Sequence, residues 1–174
     1  MNETTDWKTK ITLLMQRAQK ILILGIGNEL MADDGAGSRI AGELTRLLGR
    51  RKTPKPLRII DAGTAPENFT GVIKKERPDL ILMIDSVDSG ERPGVIAFRD
   101  LNEMRSPMHS THTLPLSSLA QYLEQSTRAS VIVLGIQPGV VHFGLPLSDE
   151  VSSSIREVAH SITEALGAAS LGDR

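Results

Sequence analysis

Three side chains in this sequence combine ligand or acid–base chemistry with positions just past apolar runs: Asp34, Asp85 and a loop histidine, His109 or His112. Asp34 is the second acid of ILILGIGNELMADDGAG (21–37), in which an apolar run passes through Gly25 and Gly27 to paired aspartates. Asp85 closes the apolar run 80–84, and Asp88 is its alternative deeper in the following turn. His109 and His112 lie in MHSTHTLP, ahead of a helical pattern, and nothing local decides between them. Two carboxylates and an imidazole without a thiolate suit nickel, zinc, iron or manganese better than magnesium, because imidazole is a borderline ligand. Two aspartates sharing one proton would give acid–base chemistry instead.

Other chemistries fit the same residues less well. Gly25 and Gly27 begin a dinucleotide fingerprint, but Leu30 stands where its third glycine belongs. Asp33 and Asp34 also bring negative charge to the place where a pyrophosphate needs unopposed helix N-terminal amides. A nucleotide-binding Rossmann-like enzyme is therefore the runner-up. The plain structural alternative is that Asp33 or Asp34 N-caps the helix expected over 35–48, although one cap accounts for one acid and not two. No HExxH, GxSxG or Walker-type loop occurs. His142 in VVHFG reads as structural, and His160, off the apolar stripe of the last helix, reads as exposed.

These residues must be positioned by an alternation of strands and helices. Apolar runs at 21–24, 57–60, 80–84 and 131–136 suit strands buried on both faces of a parallel sheet. Helical patterns follow at 35–48, at 63–77 with Pro66 in the first turn, and over Leu116, Leu119, Ala120 and Leu123. A last helix from Ser148 buries Val151, Ile155, Val158, Ile162 and Leu166. The run 95–98 follows its predecessor too soon for a crossover helix, so it should be antiparallel or at an edge. Asp100 is expected to cap a single turn to Met104. The fold class that results is α/β: a three-layer sandwich with a mostly parallel twisted sheet of about five strands, flavodoxin- or phosphorylase-like. In that topology strands one and three are neighbours, and their carboxyl ends form the ligand crevice. Asp34, Asp85 and a loop histidine can all reach it.

The division expected is a helical extension over 1–20 with Trp7, Ile11, Leu14 and Met15 on one face, one α/β domain over 21–166, and a tail over 167–174. The 174 residues suffice for a core that needs no staple. The absence of cysteine excludes disulfides, thiolate metal sites and a cysteine nucleophile. A net charge of -1 and 3% aromatic residues argue against nucleic acid as a partner. No stretch has the form of a secretory signal or a membrane span, so a cytoplasmic location away from membranes is expected.

Taken together, GIGNELMADDGAG, DAGTAPEN, LMIDSVD, THTLPLSSL and LGIQP resemble the hydrogenase maturation proteases, most closely the branch serving formate-hydrogenlyase-type enzymes. The resemblance runs from Ile21 to Leu166. It implies a cytoplasmic endopeptidase that removes a C-terminal extension from the large-subunit precursor of a nickel–iron hydrogenase after nickel insertion. It places the metal-contacting and catalytic positions on Asp34, Asp85 and His112, choosing His112 over His109. Asp61 and Gly63, in DAGTAPEN on the same rim, are the candidate substrate-binding positions, Asp61 by pairing with a basic residue beside the cleavage site. Nickel is then supplied by the substrate, and the isolated protein should be largely metal-free because an open site with three such ligands holds metal loosely. The chemistry is of aspartyl or metal-assisted type, and a monomer or weak dimer is expected. A non-catalytic nickel-binding maturation chaperone is the rival within this reading. The segment before Ile21 departs from most members, which start almost at the first strand, and reads as an added packing helix.

Overall fold

The computed structural model describes residues 3–49, 52–99 and 115–167. Five strands form one sheet: β1 (Ile21–Ile26), β2 (Leu57–Gly63), β3 (Leu80–Ser86), β4 (Ile96–Arg99) and β5 (Ser130–Ile136). Their order is β2-β1-β3-β5-β4. All pairings are parallel except that of β4 with β5, so the run expected to be antiparallel or at an edge is both. Every residue of β1 is buried, as is β3 up to Asp85, which is why these strands read as unbroken apolar runs rather than alternating ones.

Helices cover both faces. On one face α1 (Glu3–Arg17), α2 (Ala36–Leu48) and α5 (Asp149–Ala165) pack Ile11, Met15, Ile40, Leu44, Val158 and Ile162 against Ile23 and Leu82. On the other, α3 (Thr70–Glu76) and α4 (Leu116–Thr127) pack Ile73, Leu119 and Leu123 against Leu24, Ile81 and Met83. This is the three-layer α/β sandwich that the sequence predicts. The helical segment expected over 63–77 is divided into a 3₁₀ turn, Pro66–Phe69, and α3, which ends at Arg77 in the left-handed conformation before Pro78. Pro66 sits in the first turn, where its missing N–H costs nothing.

The apolar stripe of the N-terminal segment is a true packing face: Trp7, Ile11 and Met15 are all buried. The end of α1 is closed from a distance by Lys55, whose ammonium donates to the carbonyls of Met15, Gln16 and Ala18 at 3.0, 2.5 and 2.6 Å. A lysine has three donors, and here each meets a carbonyl at or just past the helix end. The proposed cap at Asp100 and the tail from 168 onward lie outside the described residues.

Candidate active site

The crevice forms where β1 and β3 lie side by side and the chain leaves them in opposite directions, β1 toward β2 and β3 toward β5. The connection from β1 is a 3₁₀ segment, Glu29–Gly35, opened by Asn28, whose side chain accepts from the Leu30 amide at 3.0 Å. The segment kinks at Ala32, a non-glycine residue with φ 54 and ψ -116 that is 1% exposed. Backbone strain of this kind persists only where the surroundings over-determine it. Here the bonds made by Asp33 supply that restraint.

Asp33 is fully buried, and its carboxylate is saturated by a loop more than a hundred residues away. Oδ2 accepts from the amides of Gly139 and Val140 and from the Ser148 hydroxyl, each at 2.8 Å. Oδ1 accepts from the Ser148 amide at 2.8 Å. Ser148 is in turn the N-cap of α5. Burial pushes the Asp33 carboxyl up, but the donors from Ser148, Val140 and Gly139 outweigh it and hold it below its ordinary value. Asp33 therefore clamps the 3₁₀ segment, the 137–148 loop and the start of α5 together.

Asp34 faces a different environment. It is 5% exposed, and its Oδ2 accepts from the Asn28 amide at 3.2 Å. That amide lies in the glycine turn where a phosphate would bind, so the carboxylate takes the place of an anion. This argues against the nucleotide reading. Neither aspartate N-caps α2; the cap position is Gly35, with no side-chain bond.

The approach of α2 to the strand ends is set by glycine. A Cβ on Gly37 would lie 2.1 Å from the Ile84 carbonyl oxygen and 2.3 Å from that of Ile26. Gly27, at φ 145, lies against the Asp34 carbonyl, which a Cβ would meet at 2.1 Å. The glycines of GIGNELMADDGAG thus serve close packing of α2 and the 3₁₀ segment onto β1 and β3.

Asp85 sits at the end of β3, 3% exposed, with the Ser86 amide donating to its Oδ1 at 2.8 Å. Strand alternation puts it on the face of Ile81 and Met83, the face that α4 covers. The turn after it is fixed by Gln137, a buried side chain that the sequence alone did not single out. Its Oε1 accepts from the amides of Ser89 and Glu91, and its Nε2 donates to Asp88 at 3.0 Å. Asp88 is exposed, so the buried carboxylate of this turn is Asp85.

The structure therefore brings Asp34 and Asp85 to the carboxyl ends of adjacent strands, both nearly buried. Asp61 is exposed on the outer strand β2, level with Gly25, and alternation puts it on the face of Ile59, opposite that of Asp85. Gly63, whose amide donates to Asp61 Oδ1 at 3.1 Å, ties this strand to the glycine turn, its carbonyl accepting from the Gly27 amide at 2.9 Å. His109 and His112 lie outside the described residues. Among the described residues no group of three His, Asp or Glu side chains is placed to hold a metal ion. His142 is not a core histidine: it is exposed, its Nδ1 3.0 Å from the Phe143 carbonyl oxygen, because the 139–146 loop lies wholly on the surface. His160 is exposed as expected and lies 3.2 Å from Glu164.

A doubly wound α/β sheet with three buried aspartates, Asp33, Asp34 and Asp85, at its switch point defines a class of protein. The relatives define it further. The sequence profile of the hydrogenase maturation proteases matches residues 42–165. A candidate hydrogenase maturation protease of Methanocaldococcus jannaschii is 37% identical over 153 residues, covering 86% of this chain and 90% of that protein. The hydrogenase 3 maturation protease of Escherichia coli K12 is 34% identical over 139 residues, 79% of this chain and 85% of its own length. The crystal structure of a [NiFe] hydrogenase maturation protease from Thermococcus kodakarensis superposes with a TM-score of 0.82 at 29% identity, over 91% of this chain and 99% of that one. The chain belongs to the hydrogenase maturation protease family and is thereby a hydrolase of peptide bonds. Among the described residues no helix is long and apolar enough to cross a membrane.

Proposed function

We propose that this protein removes the C-terminal extension of a nickel–iron hydrogenase large-subunit precursor after nickel has been inserted, in the cytoplasm. Asp34, Asp85 and His112 contact the nickel carried by the precursor. The observation that carries this reading is the pair of nearly buried carboxylates, Asp34 and Asp85, at the ends of the adjacent strands β1 and β3. Their donor set suits such a cargo: two carboxylate oxygens from the described residues, with the imidazole of His112 as third ligand by resemblance to the family. Nickel held there would polarise the scissile carbonyl or lower the pKa of a bound water.

The chain's own contribution is positioning. The Asn28 amide holds one oxygen of Asp34, the Ser86 amide holds one oxygen of Asp85, and the Asp33 clamp and Gln137 fix the two segments that carry them. A bond presented to preset groups reacts without the entropy of assembling them. Asp61 and Gly63 take the substrate chain on the same rim, with Asp61 pairing a basic residue beside the cleavage site.

The test is to incubate Asp34→Asn, Asp85→Asn and His112→Ala, one at a time, with nickel-loaded precursor and follow loss of the extension by gel mobility. Each substitution is expected to abolish processing while the melting temperature stays near that of the parent. Retained processing in any one removes that residue from the set.

A further inference from the structure

Among the described residues eight large apolar side chains are exposed, and five of them, Leu30, Val140, Val141, Phe143 and Leu145, belong to two loops. The other three sit singly on α1, α3 and α4. The two loops form one surface. The Gly144 amide donates to the Leu30 carbonyl at 2.9 Å, and the Asp33 amide donates to the Val140 carbonyl at 3.0 Å. Leu30 is 64% exposed and Phe143 68%, so neither contributes much to the chain's own core. Yet the loop that carries Phe143 is gripped by the buried carboxylate of Asp33 through the Gly139 and Val140 amides. The protein thus holds an apolar patch rigidly in water, which is the mark of a surface that meets another protein.

We infer that this patch docks the folded body of the hydrogenase large-subunit precursor beside the region whose tail is cut, an inference that rests on the proposed protease reaction. The occupant follows from continuity with the site. Leu30 lies in the same 3₁₀ segment as Asp34, so a protein that presents its metal or its scissile bond to Asp34 lies against the patch. The chemistry agrees: residues 138–147, PGVVHFGLPL, contain no Asp, Glu, Lys or Arg, and interface centres are depleted of charge. The form agrees as well. An extended peptide would seek a strand edge or a groove, whereas these side chains project from two loops, as suits a folded surface.

The experiment compares the parent protein with Phe143→Glu/Leu145→Glu, using the nickel-loaded large-subunit precursor of the same organism, and reads KM, kcat and the melting temperature. The double variant is expected to raise KM about tenfold or more, as loss of a central aromatic anchor does, with the loss on KM rather than kcat. Its melting temperature should stay within about 2 °C of the parent because both side chains are exposed. Phe143→Leu should restore most of the affinity. An unchanged KM in the double variant, with the parent cutting normally, overturns the docking surface and leaves the protease reading standing. A parent that cuts no loaded precursor overturns that reading, and the docking with it. A parent dimer that the double variant splits without any change in KM assigns the patch to a second copy of the chain and overturns the inference.

Discussion

Replacing Asp33 with alanine removes the acceptor of three backbone amides, those of Gly139, Val140 and Ser148, together with the Ser148 hydroxyl. A buried donor left without its partner costs about 1–3 kcal/mol. Water can reach the partly buried side of the 137–148 loop, so the lower end applies to each amide and the total is roughly 3–5 kcal/mol. For a chain of this size each kcal/mol lowers the melting temperature by about 2–4 °C, which gives a fall of roughly 6–20 °C. Circular dichroism on heating reads the fall, and hydrogen exchange shows whether those three amides lose protection. The pH dependence carries a sign of its own. The folded carboxyl lies below its unfolded value of 3.8, so its contribution is present above pH 3.8 and is lost as the pH drops below that through the folded value. The stability gap between the parent and Asp33→Asn should therefore be full at neutral pH and shrink below pH 3.8. An Asp33→Ala protein within about 1 kcal/mol of the parent, with the three amides still protected, would refute the clamp.

Further consequences are equally direct. Asp34→Asn, next to Asp33 in sequence, should lose processing while keeping its melting temperature, and activity assays beside thermal melts separate the two roles. Gly37→Ala should misfold or lose more than about 3 kcal/mol, since its Cβ would meet two backbone oxygens that cannot move apart, and urea unfolding measures it. Asp61→Asn should raise KM for a precursor with a basic residue beside the cut and leave stability unchanged; unaltered processing removes Asp61 from substrate binding.

The fold was legible because its signals are local. The buried strands read as apolar runs, β4 declared its antiparallel pairing by following β3 too closely for a crossover, and the stripes of α1, α4 and α5 face the core as their spacing predicts. The site was legible in part. The strand ends located Asp34 and Asp85, but the division of labour between Asp33 and Asp34 was hidden, because the partners of Asp33 lie between 106 and 115 residues away. A local rule offered only an N-cap, and the kink at Ala32 puts both aspartates in a 3₁₀ segment ahead of the helix start, which falls at Ala36 with Gly35 as its cap. The face of Asp61 needed strand register, which only pairing supplies. His142 in VVHFG read as structural, yet it and its apolar neighbours lie on the surface, because exposure is a property of the loop's path and not of its composition.

The proposed reaction is the cutting of a nickel-loaded large-subunit precursor by this protein. Intact mass spectrometry of that precursor after incubation with the protein, beside a nickel-free control, tests it most directly. Loss of a C-terminal peptide from the loaded sample alone is the predicted result. Cutting in both samples would keep the peptidase and move its chemistry to the aspartates themselves, and no cutting in either would contradict the claim.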